Sequence, residues 1–190
     1  IIVARSEEEA LAQDNKKAGI PDERNQTDLV TFFEKETDAP DFDSVQDIMQ
    51  FPFVQPTHQG RAADFIMSQL YASKGGYILG NLHFDSFKGH SEIAGSIPVD
   101  LIIEEGRTAN SNPHPFKGNM DLKKLKNFIN EKGKENIPLI IITVTSNGNG
   151  GQPVSMENIR NVSSIAQTNN IPLMIDAARF AENCYFIKKR

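Results

Sequence analysis

An acid at the end of a short apolar run is the first place where this chain could do chemistry. Leu173-Met-Ile leads into Asp176, and a helix-like Ala-Ala-Arg-Phe follows at once. Strand, acid, helix sets a carboxylate at the carboxyl end of a strand, the edge where α/β proteins hold ligands. A carboxylate among buried neighbours needs a partner, because an unpaired buried charge is costly. A protonated ring nitrogen of a pyridine-type cofactor is one such partner. The first N–H groups of the following helix, which aspartate caps well, are the other. Arg179 stands close behind Asp176 and offers a guanidinium to a carboxylate or a ring oxygen.

Three more stretches offer matching chemistry. Gln59-Gly60-Arg61 stands just before an amphipathic run, so backbone N–H groups, a helix N-terminus and a cation suit a phosphate. Phe84 offers a ring face for a flat heterocycle, worth about 0.5–1.5 kcal/mol beyond its area. Asn147, in the glycine-rich Thr145-Ser-Asn-Gly-Asn-Gly-Gly-Gln-Pro, offers an amide to a ring oxygen. Each also has a plainer reading: a turn at Gly60, a core ring at Phe84, a turn residue at Asn147, a surface cation at Arg179. His58, His83, His90 and His114 are scattered without His-x3-His spacing, so no metal site is expected. Cys184 falls in an apolar helical context and is expected to be inert. No Ser-His-Asp set, Walker-type loop or dinucleotide fingerprint is found.

The elements that must position these residues alternate. A helix is expected from the Gln59-Gly60-Arg61 stretch to about Ala72, with Phe65, Ile66 and Leu70 as its apolar positions. Residues 77–79 read as a strand, 86–94 as a helix ending at Gly95, and 99–103 as a strand. Asp121 caps a helix over 122–130 whose apolar face is Leu122, Leu125, Phe128 and Ile129. Residues 138–144 form the strongest strand, a continuous apolar run of the kind parallel sheets bury on both faces. A helix over 155–168, a strand over 171–175 and a helix over 177–188 follow. Strand–helix alternation from about residue 60 predicts a mostly parallel α/β sheet flanked by helices. Residues 1–41 form a separate polar segment with helical stretches at 6–18 and 28–36, and carry no readable chemistry.

Bulk properties narrow the function classes. The chain has 190 residues, 38% hydrophobic and 24% charged, the balance of a globular protein. A net charge of −5 argues against nucleic acid or a membrane surface as partner. A single cysteine excludes an internal disulfide and fits a reducing, cytoplasmic setting. No apolar run approaches a membrane span. The chain begins without Met and stops at Lys-Lys-Arg within a helical pattern, so a piece of a longer protein is expected.

Four segments carry a resemblance. They are Pro56-Thr-His-Gln-Gly-Arg-Ala-Ala, Phe116-Lys-Gly-Asn-Met-Asp-Leu-Lys-Lys-Leu, the loop from Thr145 through Pro153-Val-Ser, and Asp176-Ala-Ala-Arg-Phe-Ala-Glu-Asn-Cys-Tyr-Phe-Ile-Lys. In order and content they resemble the β-eliminating lyases, the family of tryptophanase and tyrosine phenol-lyase, over about residues 42–190. The resemblance implies the large domain of a pyridoxal-phosphate enzyme of the aspartate-aminotransferase fold type. It also implies a homotetramer with a monovalent cation such as potassium, acting on an aromatic amino acid. Carried over by motif, Gln59, Gly60 and Arg61 hold the phosphate, Phe84 stacks on the ring, and Asp176 meets the pyridine nitrogen. Asn147 and Arg179 sit at the ring oxygen and the substrate carboxylate. Asp85, where phenol-lyases tend to have threonine, lies near the leaving indole, so the resemblance leans to the tryptophan-cleaving branch. The phenol-cleaving branch and a non-catalytic paralogue that binds cofactor or a lyase subunit are the alternatives.

Departures from the family pattern are specific. The family's Schiff-base lysine lies in a Ser-x-Lys-Lys-Asp segment that these residues do not contain, and Lys188 and Lys189 match helix positions instead. The arginine that chiefly grips the substrate carboxylate and the small domain are likewise not among them. Residues 1–41 do not resemble the family's N-terminal segment, and Asn149 stands where the loop usually has alanine. The chain alone is therefore expected to be an incomplete or inactive piece.

Overall fold

The computed structural model describes residues 2, 3, 55, 57–107 and 113–190. Its five strands are β1 (Ile2–Val3), β2 (Tyr77–Gly80), β3 (Ile97–Asp100), β4 (Leu139–Thr143) and β5 (Leu173–Asp176), in the spatial order β1-β5-β4-β2-β3. β2 runs parallel to β3 and β4, and β4 runs parallel to β5; only β1 is antiparallel, against β5. Gly80 lies opposite Asp100, and Thr143 lies opposite Asp176. The parallel strands therefore finish along one edge, carrying Gly80, Asp100, Thr143 and Asp176.

The helices are α1 (Gly60–Tyr71), α2 (Asp85–Ile93), the four-residue α3 (Glu104–Arg107), α4 (Leu122–Lys132), α5 (Met156–Asn169) and α6 (Phe180–Lys189). Side chains alternate across β4 with the period of a strand. Ile140 and Ile142 enter a larger core with Leu79, Leu125, Ile129, Val162 and Ala166, which α4 and α5 cover. Leu139 and Ile141 enter a smaller core on the opposite face with Ile78, Phe87 and Met174, against which Met67 and Tyr71 of α1 rest. All five residues of β4 are buried, which is why its sequence is apolar throughout. Fully burying one such aliphatic side chain is worth about 1.5–3 kcal/mol.

Three buried asparagines fasten the loops to this frame. Asn81 donates to the carbonyls of Gly118 (2.9 Å) and Thr143 (3.1 Å) and accepts from Thr143 N–H (2.9 Å). Asn158 holds Met120 through both its N–H and its C=O, and Asn183 holds Val154 in the same way. Each replaces a missing ladder partner with a side-chain amide, as buried backbone groups require.

The parallel sheet, the flanking helices, the apolar face of α4 and the Asp121 cap agree with the sequence reading. Five details differ. β3 begins at Ile97 and ends at Asp100, because its neighbour β2 ends at Gly80, whose carbonyl takes the last ladder bond from Leu101 N–H, and Ile102 then bridges Met120. α6 starts at Phe180 rather than at 177, because Arg179 N–H is still bound to Val144 O at 3.2 Å. The short α3 was not anticipated. On α1 the buried residues are Asp64 and Ser68, while Phe65 is 49% exposed and meets the His90 ring edge-on. Cys184 is exposed rather than enclosed in apolar surroundings. The helices expected over 6–18 and 28–36 lie outside the described residues.

Candidate functional site

Every candidate side chain is delivered to the carboxyl edge by its own element. Asp176 ends β5 and is 9% exposed. Its Oδ1 accepts from Ala178 N–H at 3.1 Å, a local turn rather than a helix cap, since α6 begins on Arg179. Among the described residues no further hydrogen bond or ion pair engages this carboxylate. Asn147 opens a short 3₁₀ turn, Asn147–Asn149, directly after β4. Gly150 and Gly151 take left-handed φ values of 81° and 73°, which a side chain would resist. A Cβ on Gly151 would lie 3.1 Å from Arg179 Nη1, so the bare glycine lets the guanidinium lie against the loop. Asn149 ties the same loop to Lys117 O at 3.2 Å.

Phe84 and Asp85 stand where α2 begins, and Phe84 keeps 38% of its surface exposed. Gln59, Gly60 and Arg61 are exposed at the start of α1, whose first turn has no side-chain cap and no acid. A Cβ on Gly60 would meet nothing within 4 Å, so the approach to these N–H groups is open. The two helix starts are joined by Asp64, whose Oδ2 accepts from Ser86 Oγ at 2.5 Å. Burial raises the Asp64 carboxyl above its usual value, the Ser86 hydrogen bond opposes this, and the like charge of Asp176 adds to it. The head of α1 is thus tied to the head of α2 through Ser86, and Asp64 feels the charge of Asp176 at the end of β5.

A second buried pair braces the edge. His83, next to Phe84, has a side chain fully shielded from solvent; its Nδ1 lies 2.6 Å from Asp100 Oδ1, which also accepts the His83 backbone N–H at 2.9 Å. Desolvation would raise the Asp100 carboxyl, but the His83 hydrogen bonds and charge hold it below its usual value. Gly80 must be bare here, since a Cβ would fall 2.8 Å from the His83 ring.

The edge is also where polar atoms are left over. His83 Nε2, Thr143 Oγ1, Ser146 Oγ, Asn147 Oδ1 and Asn149 Oδ1 are buried without a partner among the described residues. Native proteins rarely leave such atoms orphaned, and a cluster of them calls for a ligand or water. Among the described residues no group of three or more His, Cys, Asp or Glu is placed to hold a metal, and no helix is long and apolar enough to cross a membrane. Sequence reasoning missed Asp64, Asn81 and Asp100. Asp64 had a visible signal: Gly60, Asp64 and Ser68 recur every fourth residue, a polar line along one side of α1.

A parallel sheet with helix starts and unpartnered polar groups gathered at its carboxyl edge defines an α/β ligand-binding unit. Comparison with known proteins gives the family. The model for "Beta-eliminating lyase" matches residues 38–190. The chain is 47% identical to a tryptophanase of Rhodobacter capsulatus over 147 residues, 77% of this chain and 32% of the relative. It is 46% identical to a tyrosine phenol-lyase of Nostoc punctiforme, over 77% of this chain and 31% of that one. A "probable beta-eliminating lyase" of Trichomonas vaginalis is 43% identical over 78% of this chain and 32% of its own. Among solved structures, a chain of a SepCysS–SepCysE N-terminal domain complex superposes with a TM-score of 0.53 at 22% identity, over 72% of this chain and 35% of that one, a likeness of fold. The protein has the large-domain fold of the type I pyridoxal-phosphate enzymes, and it belongs to the beta-eliminating lyase family. It spans about a third of the length of the curated relatives it matches.

Proposed function

We propose that this chain is the cofactor-binding part of a pyridoxal-phosphate-dependent lyase that cleaves an aromatic amino acid, tryptophan to indole, pyruvate and ammonia. The observation that carries the cofactor reading is the set of unpartnered polar atoms around Asn147, together with the largely unclaimed carboxylate of Asp176. Bound there, pyridoxal phosphate supplies an electron sink for cleavage at Cα and loss of the side chain. The chain's residues have separable tasks. The first N–H groups of α1 and the Arg61 side chain bind the phosphate, with Gln59 and Gly60 leaving the approach open. Phe84 covers one ring face. Asp176 holds a proton on the ring nitrogen, and its burial makes that pairing stronger than it would be in water. Asn147 and Arg179 orient the ring oxygen and the substrate carboxylate.

Relatives of both substrate classes match about equally, so overall identity does not choose between them. Asp85 supports the tryptophan reading: an acid beside Phe84 at the head of α2 suits protonation at a leaving indole. The monovalent cation and the tetramer belong to the same reading of the whole enzyme. The test is twofold. Equilibrium dialysis of pyridoxal phosphate against this chain should show binding that falls at least about tenfold in Asp176→Ala, the loss of one charged pairing. The enzyme carrying this chain should release indole from L-tryptophan in preference to phenol from L-tyrosine, whereas residues 1–190 alone, lacking the lysine segment, should release little of either. Unchanged binding in Asp176→Ala refutes the site, and phenol release in preference to indole refutes the substrate.

A further inference from the structure

Asp64 is the one buried carboxylate on this edge to which neither the sequence reading nor the reaction assigns a task. It is 8% exposed, although it sits on a helix whose neighbouring Phe65 is half in solvent. Burying an acid in place of an aromatic ring is expensive unless the acid is engaged. Asp64 is engaged from one side and faces a like charge on the other. On α2, Ser86 donates to Oδ2 at 2.5 Å, and His90, one turn further along, contributes an attractive charge. On β5, Asp176 is a like-charged neighbour. Asp64 follows Gly60 by one helical turn, and Ser86 comes two residues after Phe84. This hydrogen bond, beside the edge-on packing of Phe65 on His90, thus ties the helix that starts at the phosphate-binding candidates to the helix that starts at the ring-stacking candidate.

We propose that Asp64 is a positioning residue of the cofactor site: through Ser86 it sets the head of α1 against the head of α2. This rests on the cofactor reading above. Its consequence is that the phosphate grip and the ring contact act as one unit, since moving either helix start moves the other. The second consequence is electrostatic. An anion near Asp176 favours a proton on the cationic group that Asp176 faces.

Dialysis of pyridoxal phosphate against the 190-residue chain and its variants tests this, with circular dichroism and thermal melts alongside and the absorbance of the bound cofactor followed across pH. Asp64→Ala should weaken binding about tenfold, and Ser86→Ala about threefold, on the scale of one ordinary hydrogen bond. The double variant should be no weaker than Asp64→Ala, because both remove the same contact. Asp64→Asn keeps an acceptor for Ser86, so it should recover most of the affinity. It should nevertheless move the pH midpoint of the bound cofactor's absorbance downward, since one anion fewer stabilises the ring proton. The charged groups that act on Asp64 include Asp176 on β5 and His90 on α2. A merely structural aspartate would leave the midpoint where it is. The inference is overturned if wild type binds and Asp64→Ala binds equally well, or if Asp64→Asn leaves the midpoint unmoved. If wild type itself does not bind, the cofactor reading fails, and this inference goes with it.

Discussion

The helices of this fold begin in two different ways. α4 and α5, which cover the larger core, each start on a side-chain cap: Asp121 accepts from Lys123 N–H and Lys124 N–H at 3.0 Å each, and Ser155 accepts from Asn158 N–H at 3.1 Å. α1, α2 and α6, which carry the candidate site residues, start on Gln59, Phe84 and Arg179 without one. A good cap is worth about 1 kcal/mol, so three helices forgo a stabilisation that two others take. The contrast extends to amides. Asn81, Asn158 and Asn183 are engaged on both ends, whereas Asn147 and Asn149 each leave a buried oxygen without a partner among the described residues. Among the described residues the unpartnered buried polar atoms, Ser91 Oγ on α2 excepted, lie at the end of β4 and in the loops after β2 and β4, whereas the asparagines that fasten the loops are saturated.

The largest test of this division sets two asparagines against each other. Asn81→Ala should cost about 3 kcal/mol, because it strands a buried N–H and two carbonyls at once. Asn147→Ala should change stability by less than about 0.5 kcal/mol, because its oxygen holds nothing in the free protein, yet it should weaken pyridoxal phosphate binding. Urea melts of both variants measure the first quantity, and dialysis measures the second. Equal stability losses would erase the distinction between clamp and open site.

A smaller effect separates buried Asp64 from half-buried Asp100 by sign. Asp100 has a folded-state pKa below its usual 3.8. Its stabilisation is therefore present above pH 3.8 and lost as pH falls through the lower folded value. Asp64 is raised above 3.8, so its contribution is full below that pH and declines as pH rises through the raised value. At neutral pH, Asp100→Asn should lose about 1–2 kcal/mol, discounted for the partial exposure of the carboxylate. That loss should vanish in acid. Asp64→Asn should instead gain on wild type as pH rises from the acid side. Chemical denaturation at several pH values reads both, and two difference curves of the same sign would contradict the assignment.

What the sequence made legible was whatever depends on short-range pattern. The continuous apolar run of β4, the i, i+4 pair Leu125 and Ile129, and the cap at Asp121 each follow from neighbours in the chain. The strand-end position of Asp176 and the loop position of Asn147 were legible for the same reason. Asp64, Asn81 and Asp100 were not, because their partners lie 22, 62 and 17 residues away and no local rule names them. The start of α6 was misplaced for a related reason: Ala177 through Arg179 has helical composition, but Val144 O, just past the end of β4 and far back in the chain, holds Arg179 N–H first. Burial of Phe65 was expected from its apolar character, but Asp64 and Ser68 take the inward line of α1 and leave Phe65 half exposed.

The smallest effect is also the one that tests the division most directly, because it asks what a cap would do where none is found. Asp121→Ala should lose about 1 kcal/mol, the ordinary worth of an N-cap. Gln59→Asp should gain about 0.5–1 kcal/mol by engaging the open N–H groups at the head of α1. If those groups are held open for a phosphate, the same aspartate must compete with it and repel it, so pyridoxal phosphate affinity should fall as the melting temperature rises. A stabilising, affinity-neutral Gln59→Asp would mean that the missing cap is incidental. An inverse movement of the two quantities would mean that the head of α1 is kept unsatisfied for an anion, since no change in packing accompanies the substitution of one exposed polar side chain by another.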